Sequence, residues 1–96
     1  MSEFQKLVDE VVGFQYDIFP TGTAISKLHH LKKEVAELIE ELEGEESDLP
    51  WYGDSKDKIL MEYADCFLLL IGSAGVYGLS ADDILRVVLE KIYINR

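Results

Sequence analysis

The stretch ILMEYADCFLLLI, residues 59–71, sets two carboxylates, Glu62 and Asp65, three positions apart inside an otherwise apolar run. Its hydrophobic residues occupy nearly every face at helical spacing, so it reads as a helix that other helices must enclose. Working outward, that helix extends from about Ser55 to Tyr77, where Gly78 closes it. Gly72 and Gly75 lack side chains to hold a neighbour away, which predicts a close helix crossing there, against a cost of about 1 kcal/mol per glycine relative to alanine. The longest uncharged run, Cys66 to Ala81, is interrupted by Gly72, Ser73, Gly75, Gly78 and Ser80. It falls short of the roughly 20 apolar residues that span a bilayer, so no membrane partner is expected.

The enclosing helices are legible on both sides. A first helix runs from about Glu3 to Ile18, with Phe4, Leu7, Val8, Val11, Val12 and Tyr16 at helical spacing, and Pro20 and Gly22 stop it. A second runs from near Thr23 to Leu42 or Glu43, with Leu28, Leu31, Val35, Leu38, Ile39 and Leu42 as its apolar stripe and Gly44 as its expected end. Residues Glu45 to Asp54, with Pro50 and Gly53 around Trp51 and Tyr52, read as a loop. Ser80 followed by Asp83 forms a capping signal for a fourth helix. That helix should turn Ile84, Leu85, Val88, Leu89 and Ile92 inward and continue to about Ile94. The expected fold class is all-α, a four-helix bundle formed by one domain over residues 1–96. A chain of 96 residues buries only roughly 60 to 65% of its unfolded surface, so the core is expected to be completed by a homodimer or homotetramer.

Chemistry enters through the acidic residues. At 100° per residue Glu34, Glu37 and Glu41 share one edge of the second helix beside its apolar stripe, with His30 and Lys27 on the same line toward the N-terminus. A pair of glutamates at that spacing is common on solvated faces, but Glu62 and Asp65 are not so placed. Two carboxylates kept within an apolar segment need compensating cations, since an unpaired buried charge costs several kcal/mol. If the second and third helices pack antiparallel, Glu34 and Glu37 face Glu62 and Asp65 across the seam. The cations are then either a hard divalent ion, Mg²⁺ with Mn²⁺ as a substitute, or lysines such as Lys27, Lys58 or Lys91 in a buried ion-pair network.

Charge narrows the partners. Nine Lys and Arg stand against 19 Asp and Glu, a net charge of −10, and no basic stripe exists to track a phosphate backbone, so polymeric nucleic acid is an unfavourable partner. A small phosphorylated ligand remains compatible, because a bound cation reverses the local field. The single cysteine, Cys66, has no internal disulfide partner, and the first residues carry charge rather than an apolar signal core. A reducing, cytoplasmic setting is therefore expected.

The pattern Glu34-x-x-Glu37, then 24 residues, then Glu62-x-x-Asp65 resembles the paired acidic signature of the MazG-like all-α nucleoside triphosphate pyrophosphohydrolases. His30-Leu31-Lys32-Lys33-Glu34, Glu62-Tyr63-Ala64-Asp65, Phe19-Pro20, and Glu90-Lys91 followed by Asn95-Arg96 are similar to the subgroup acting on dATP and dGTP. Lys33 stands where the family's first motif doubles the glutamate. The resemblance implies a MazG-like bundle and Mg²⁺-dependent hydrolysis of a nucleoside triphosphate to its monophosphate and pyrophosphate. It places Glu34, Glu37, Glu62 and Asp65 as metal ligands, with Glu34 or Glu37 as the base in an in-line attack of water on phosphorus. It implies Lys91 and Asn95 as substrate-binding residues, with Lys27, His30 and Arg96 beside them. Trp51, Tyr52, Phe14 and Tyr16 are candidates for stacking on the base, although aromatics at helical spacing more often pack in a core. A relative acting on dUTP or dCTP, and a non-catalytic helical module whose acidic edge docks a basic partner, are the alternatives.

Overall fold

The structure, a computed structural model, describes residues 2–18, 21–46 and 56–95. Trp51, Tyr52, Phe19, Pro20 and Arg96 lie outside the described residues. Those described form four helices and no strand: α1 (Glu3–Ile18), α2 (Ala24–Glu46), α3 (Lys56–Tyr77) and α4 (Ala81–Ile94).

Local chemistry accounts for most helix ends. Ser2 caps α1, its hydroxyl accepting from the Gln5 N–H at 3.1 Å. At the start of α2 the caps are reciprocal: the Ser26 N–H donates to Thr23 Oγ1 at 3.0 Å and the Thr23 N–H to Ser26 Oγ at 2.8 Å. Gly78 takes a positive φ of 103°, which lets its N–H reach the Gly75 carbonyl and the Leu79 N–H reach that of Ala74, at 3.0 and 3.1 Å. This paired closure explains why α3 stops there. Ser80 then caps α4, accepting from the Asp83 N–H at 3.1 Å. The expected stop at Gly44 is not observed. Gly78 is the residue that enters the left-handed region, and α2 continues through Gly44 to Glu46, because glycine weakens a helix without ending it unless it adopts that turn.

α2 and α3 pack antiparallel. The Ser73 hydroxyl donates to the Ala24 carbonyl at 2.7 Å at one end of the seam, and Lys58 pairs with Glu41 at 2.9 Å at the other. α1 crosses α3 where the glycines are: a side chain at Gly75 would collide with Val12 and stand 3.3 Å from Val8 Cγ1, and one at Gly72 would collide with the Gln15 amide. The close crossing expected from Gly72 and Gly75 is thus present. α4 joins α1 through its first turn, where the Ala81 N–H donates to Gln5 Oε1 at 2.9 Å and Ser2 Oγ donates to Asp82 Oδ1 at 3.1 Å.

Val8, Val11, Leu38 and Ala81 form the buried apolar centre. α3, expected to be enclosed, has only Gly72 and Ser73 buried, and Leu60 and Met61 are 67 and 68% exposed. Along α4, Leu85, Val88, Leu89 and Ile92 face solvent rather than inward. The reason is that, among the described residues, α4 is held to α1 through its N-terminal turn. The radius of gyration is 15.8 Å, against about 12.5 Å for a compact domain of this length. The chain exposes 7439 Å², where a compact monomer of its mass exposes about 5,600 Å². By length and apolar composition α3 would also suffice to cross a membrane, and little of it is buried within the chain.

Candidate metal centre

The antiparallel seam places one edge of α2 over the N-terminal half of α3. There Glu34, Glu62 and Asp65 each offer an oxygen, and these oxygens all lie within 4.8 Å of one another. The i, i+3 spacing of Glu62 and Asp65 puts both on the α3 face that looks toward α2, and Glu34 meets them from the opposite helix. Glu37, one turn further along α2, lies against Glu34 within hydrogen-bonding reach and is exposed. Three carboxylates converge, and the fourth stands at their edge.

The carboxylates of the cluster repel one another. Burial first, then the charge and hydrogen bond of Glu37, then the charges of Glu62 and Asp65, raise the Glu34 carboxyl above its ordinary value. His30 Nε2 lies 3.3 Å from Glu34 Oε1, a contact that is ionic when the imidazole is protonated. Among the described residues no lysine or arginine lies within ion-pair distance of Glu34, Glu62 or Asp65. Lys58 pairs with Glu41, Lys27 is buried elsewhere along α2, and Lys91 is exposed near the end of α4. The lysine network that would neutralise the carboxylates is therefore not formed among these residues. Glu62 Oε2 is buried with no hydrogen-bond partner. A buried carboxylate oxygen left in that state costs several kcal/mol unless a cation meets it.

A divalent cation fits these donors: three oxygen-bearing side chains close enough to share one ion, of the hard type that Mg²⁺ and Mn²⁺ prefer. The neighbouring Cys66 thiol is pushed up by its burial and by the charges of Glu34, Glu62 and Asp65, so it stays protonated and packs. Soft-metal chemistry is disfavoured accordingly.

Glu34 and Asp65 form one end of a cleft of about 680 Å³ between α1, α2 and α3, a volume typical of small-molecule sites. One wall is apolar, from Phe14, Ile18, Leu68 and Leu69; the α2 wall carries Lys27, His30 and Glu34 in succession. Of the residues named from sequence, Lys27, His30, Glu34, Asp65 and Phe14 line this cleft. Lys91, Asn95 and Tyr16 do not; the first two sit at the exposed end of α4. Gln15, which the sequence reading passed over, also lines it, buried, with its Nε2 donating to the Leu68 carbonyl at 3.0 Å. A signal for it existed: Gln15 continues the Val8–Val11 stripe of α1, and a polar residue on a core face calls for a polar partner.

No family model, curated protein or solved structure significantly matches the chain.

Proposed function

We propose that the protein is a MazG-like, Mg²⁺-dependent nucleoside triphosphate pyrophosphohydrolase that cleaves a (deoxy)nucleoside triphosphate, dATP or dGTP first, to the monophosphate and pyrophosphate. One observation carries the reading: Glu34, Glu62 and Asp65 converge within 4.8 Å at the end of a cleft without a lysine or arginine among the described residues to neutralise them. A bound Mg²⁺ would supply charge neutralisation for phosphate oxygens and acidify water at that end of the cleft. Glu34, Glu62 and Asp65 would hold the ion, with Glu37 adding an outer carboxylate.

The chain's own groups divide the remaining work. Glu34, at the cleft, and Glu37 beside it are the candidates for taking the proton of the attacking water. His30, against Glu34, orients that carboxylate and can pass a proton onward. Phe14, Ile18, Leu68 and Leu69 offer an apolar wall for base and sugar that also excludes water. Water adds to phosphorus, the anhydride bond breaks, and pyrophosphate leaves with the electron pair of that bond.

Assembly belongs to the same proposal. The apolar faces of α3 and α4 left exposed among the described residues, with roughly 1,800 Å² per chain beyond a compact monomer, exceed the roughly 800 Å² that each partner buries in a standard interface, and a homodimer or homotetramer in the cytoplasm would cover them. Such a partner is also the route by which Lys91 and Asn95 could reach a cleft. Pyrophosphate release from a panel of triphosphates, dATP, dGTP, dUTP and dCTP included, measured with Mg²⁺ and with EDTA, tests the function. Metal-dependent release from one or more supports it and ranks the bases; no release from any leaves a non-catalytic helical module.

A further inference from the structure

Lys27 is 6% exposed and forms part of the cleft wall, yet no carboxylate pairs with it among the described residues. Its position sharpens the conflict. It lies just inside the start of α2, where the aligned peptide dipoles already present partial positive charge, and the first turn of that helix has no acidic residue. Thr21, Gly22 and Ser26 bring the same helix end into the cleft wall. The Ser73 hydroxyl holds the Ala24 carbonyl at 2.7 Å, tying that end to α3. The largely buried Lys27 side chain and a helix N-terminus thus line one cavity, with no carboxylate in ion-pair contact with the lysine among the described residues. Together they describe a pole of the cleft suited to an anion.

We propose that Lys27 and the N-terminal turn of α2 form an anion-binding pole of the cleft, which takes a phosphate group of the ligand or the released pyrophosphate without help from a metal ion. The naming of phosphate rather than another anion rests on the reading of the preceding section. Glu34 follows Lys27 by about two helical turns, roughly 10 Å along the axis. The cleft is therefore bipolar, with a cation end at Glu34 and Asp65 and an anion end at Lys27. A triphosphate with its metal can bridge the two, and a ligand bearing a single phosphate engages only one of them. Discrimination by phosphate chain length follows from that spacing.

The test uses inorganic pyrophosphate in EDTA, so that neither turnover nor metal enters. Calorimetry should show saturable binding to the wild type, weakened about ten- to a hundredfold in Lys27→Met, the range of a charge-assisted hydrogen bond, with circular dichroism establishing that the variant is folded. Independently of any variant, pyrophosphate should slow acetylation of Lys27 but not of the exposed Lys32 and Lys33, read by mass spectrometry. Binding in EDTA should persist in Glu62→Gln, which removes metal-dependent activity. Absent pyrophosphate binding to the wild type, undiminished binding to folded Lys27→Met, or unprotected Lys27 would each overturn the proposal. Failure of every triphosphate to be hydrolysed would overturn the enzyme reading and leave this result standing.

Discussion

Glu41 and Glu62 face each other's helices across the same α2–α3 seam, and each buries one carboxylate oxygen that has no hydrogen-bond partner. They differ in what meets the charge. Glu41 holds Lys58 at 2.9 Å through its other oxygen, whereas Glu62 is joined by two more carboxylates and no lysine or arginine among the described residues. The first is a helix-to-helix clasp: it fixes where α2 sits along α3. The second accumulates like charge at a cleft, an arrangement that opposes folding unless a cation is bound. Acidic residues on a helix seam are thus not equivalent, and the partner decides which are structural.

Neutralising one side of that comparison should have the largest effect. Glu62→Gln should lower metal-dependent pyrophosphate release by on the order of a thousandfold or more, while Glu41→Gln stays within a few-fold of wild type, both measured at saturating triphosphate. Equal losses would erase the distinction.

Stability should move in opposite directions. In EDTA, Glu62→Gln removes repulsion and should stabilise by about 1 kcal/mol, a rise of about 4–8 °C in melting temperature for a domain of this size. Lys58→Met should destabilise by at most about 1 kcal/mol, because the lysine side chain is 63% exposed and solvent screens the pair.

A smaller effect is expected on pH dependence. The Glu34 carboxyl is raised in the folded chain above the ordinary glutamate value, so its contribution to stability is fully present below that ordinary value and is lost as pH rises through its folded one. In EDTA the melting temperature of the wild type, relative to Glu34→Gln, should therefore fall as pH is taken from the ordinary carboxylate range to neutrality. Saturating Mg²⁺ should flatten that difference. A slope of the opposite sign would mean that Glu34 is held ionised by a partner other than a divalent ion.

Much of this was legible before the fold was known, for reasons that are local. Gly78 and Ser80 announce the α3–α4 turn because one needs positive φ and the other supplies a cap, and Gly72 and Gly75 mark the crossing because nothing larger fits. The pairing of Glu34 with Glu62 and Asp65 followed from their spacing plus one antiparallel assumption. What escaped depends on how helices rotate against one another. Glu37 falls at the edge rather than inside, Lys27 is buried without a carboxylate partner among the described residues, and Gln15 turns onto α3; a few tens of degrees of helix rotation would change each. The exposed faces of α3 and α4 escaped for another reason: periodicity shows that a side is apolar, not which molecule covers it.

The central claim is that Glu34, Glu62 and Asp65 bind a divalent cation, and Mn²⁺ binding followed by electron paramagnetic resonance tests it without requiring a substrate. Saturable binding to the wild type, lost or severely weakened in Glu34→Gln, Glu62→Gln and Asp65→Asn and retained in Glu41→Gln, is the expected result. A wild type that binds no Mn²⁺, or cluster variants that bind it as the parent does, would contradict the account.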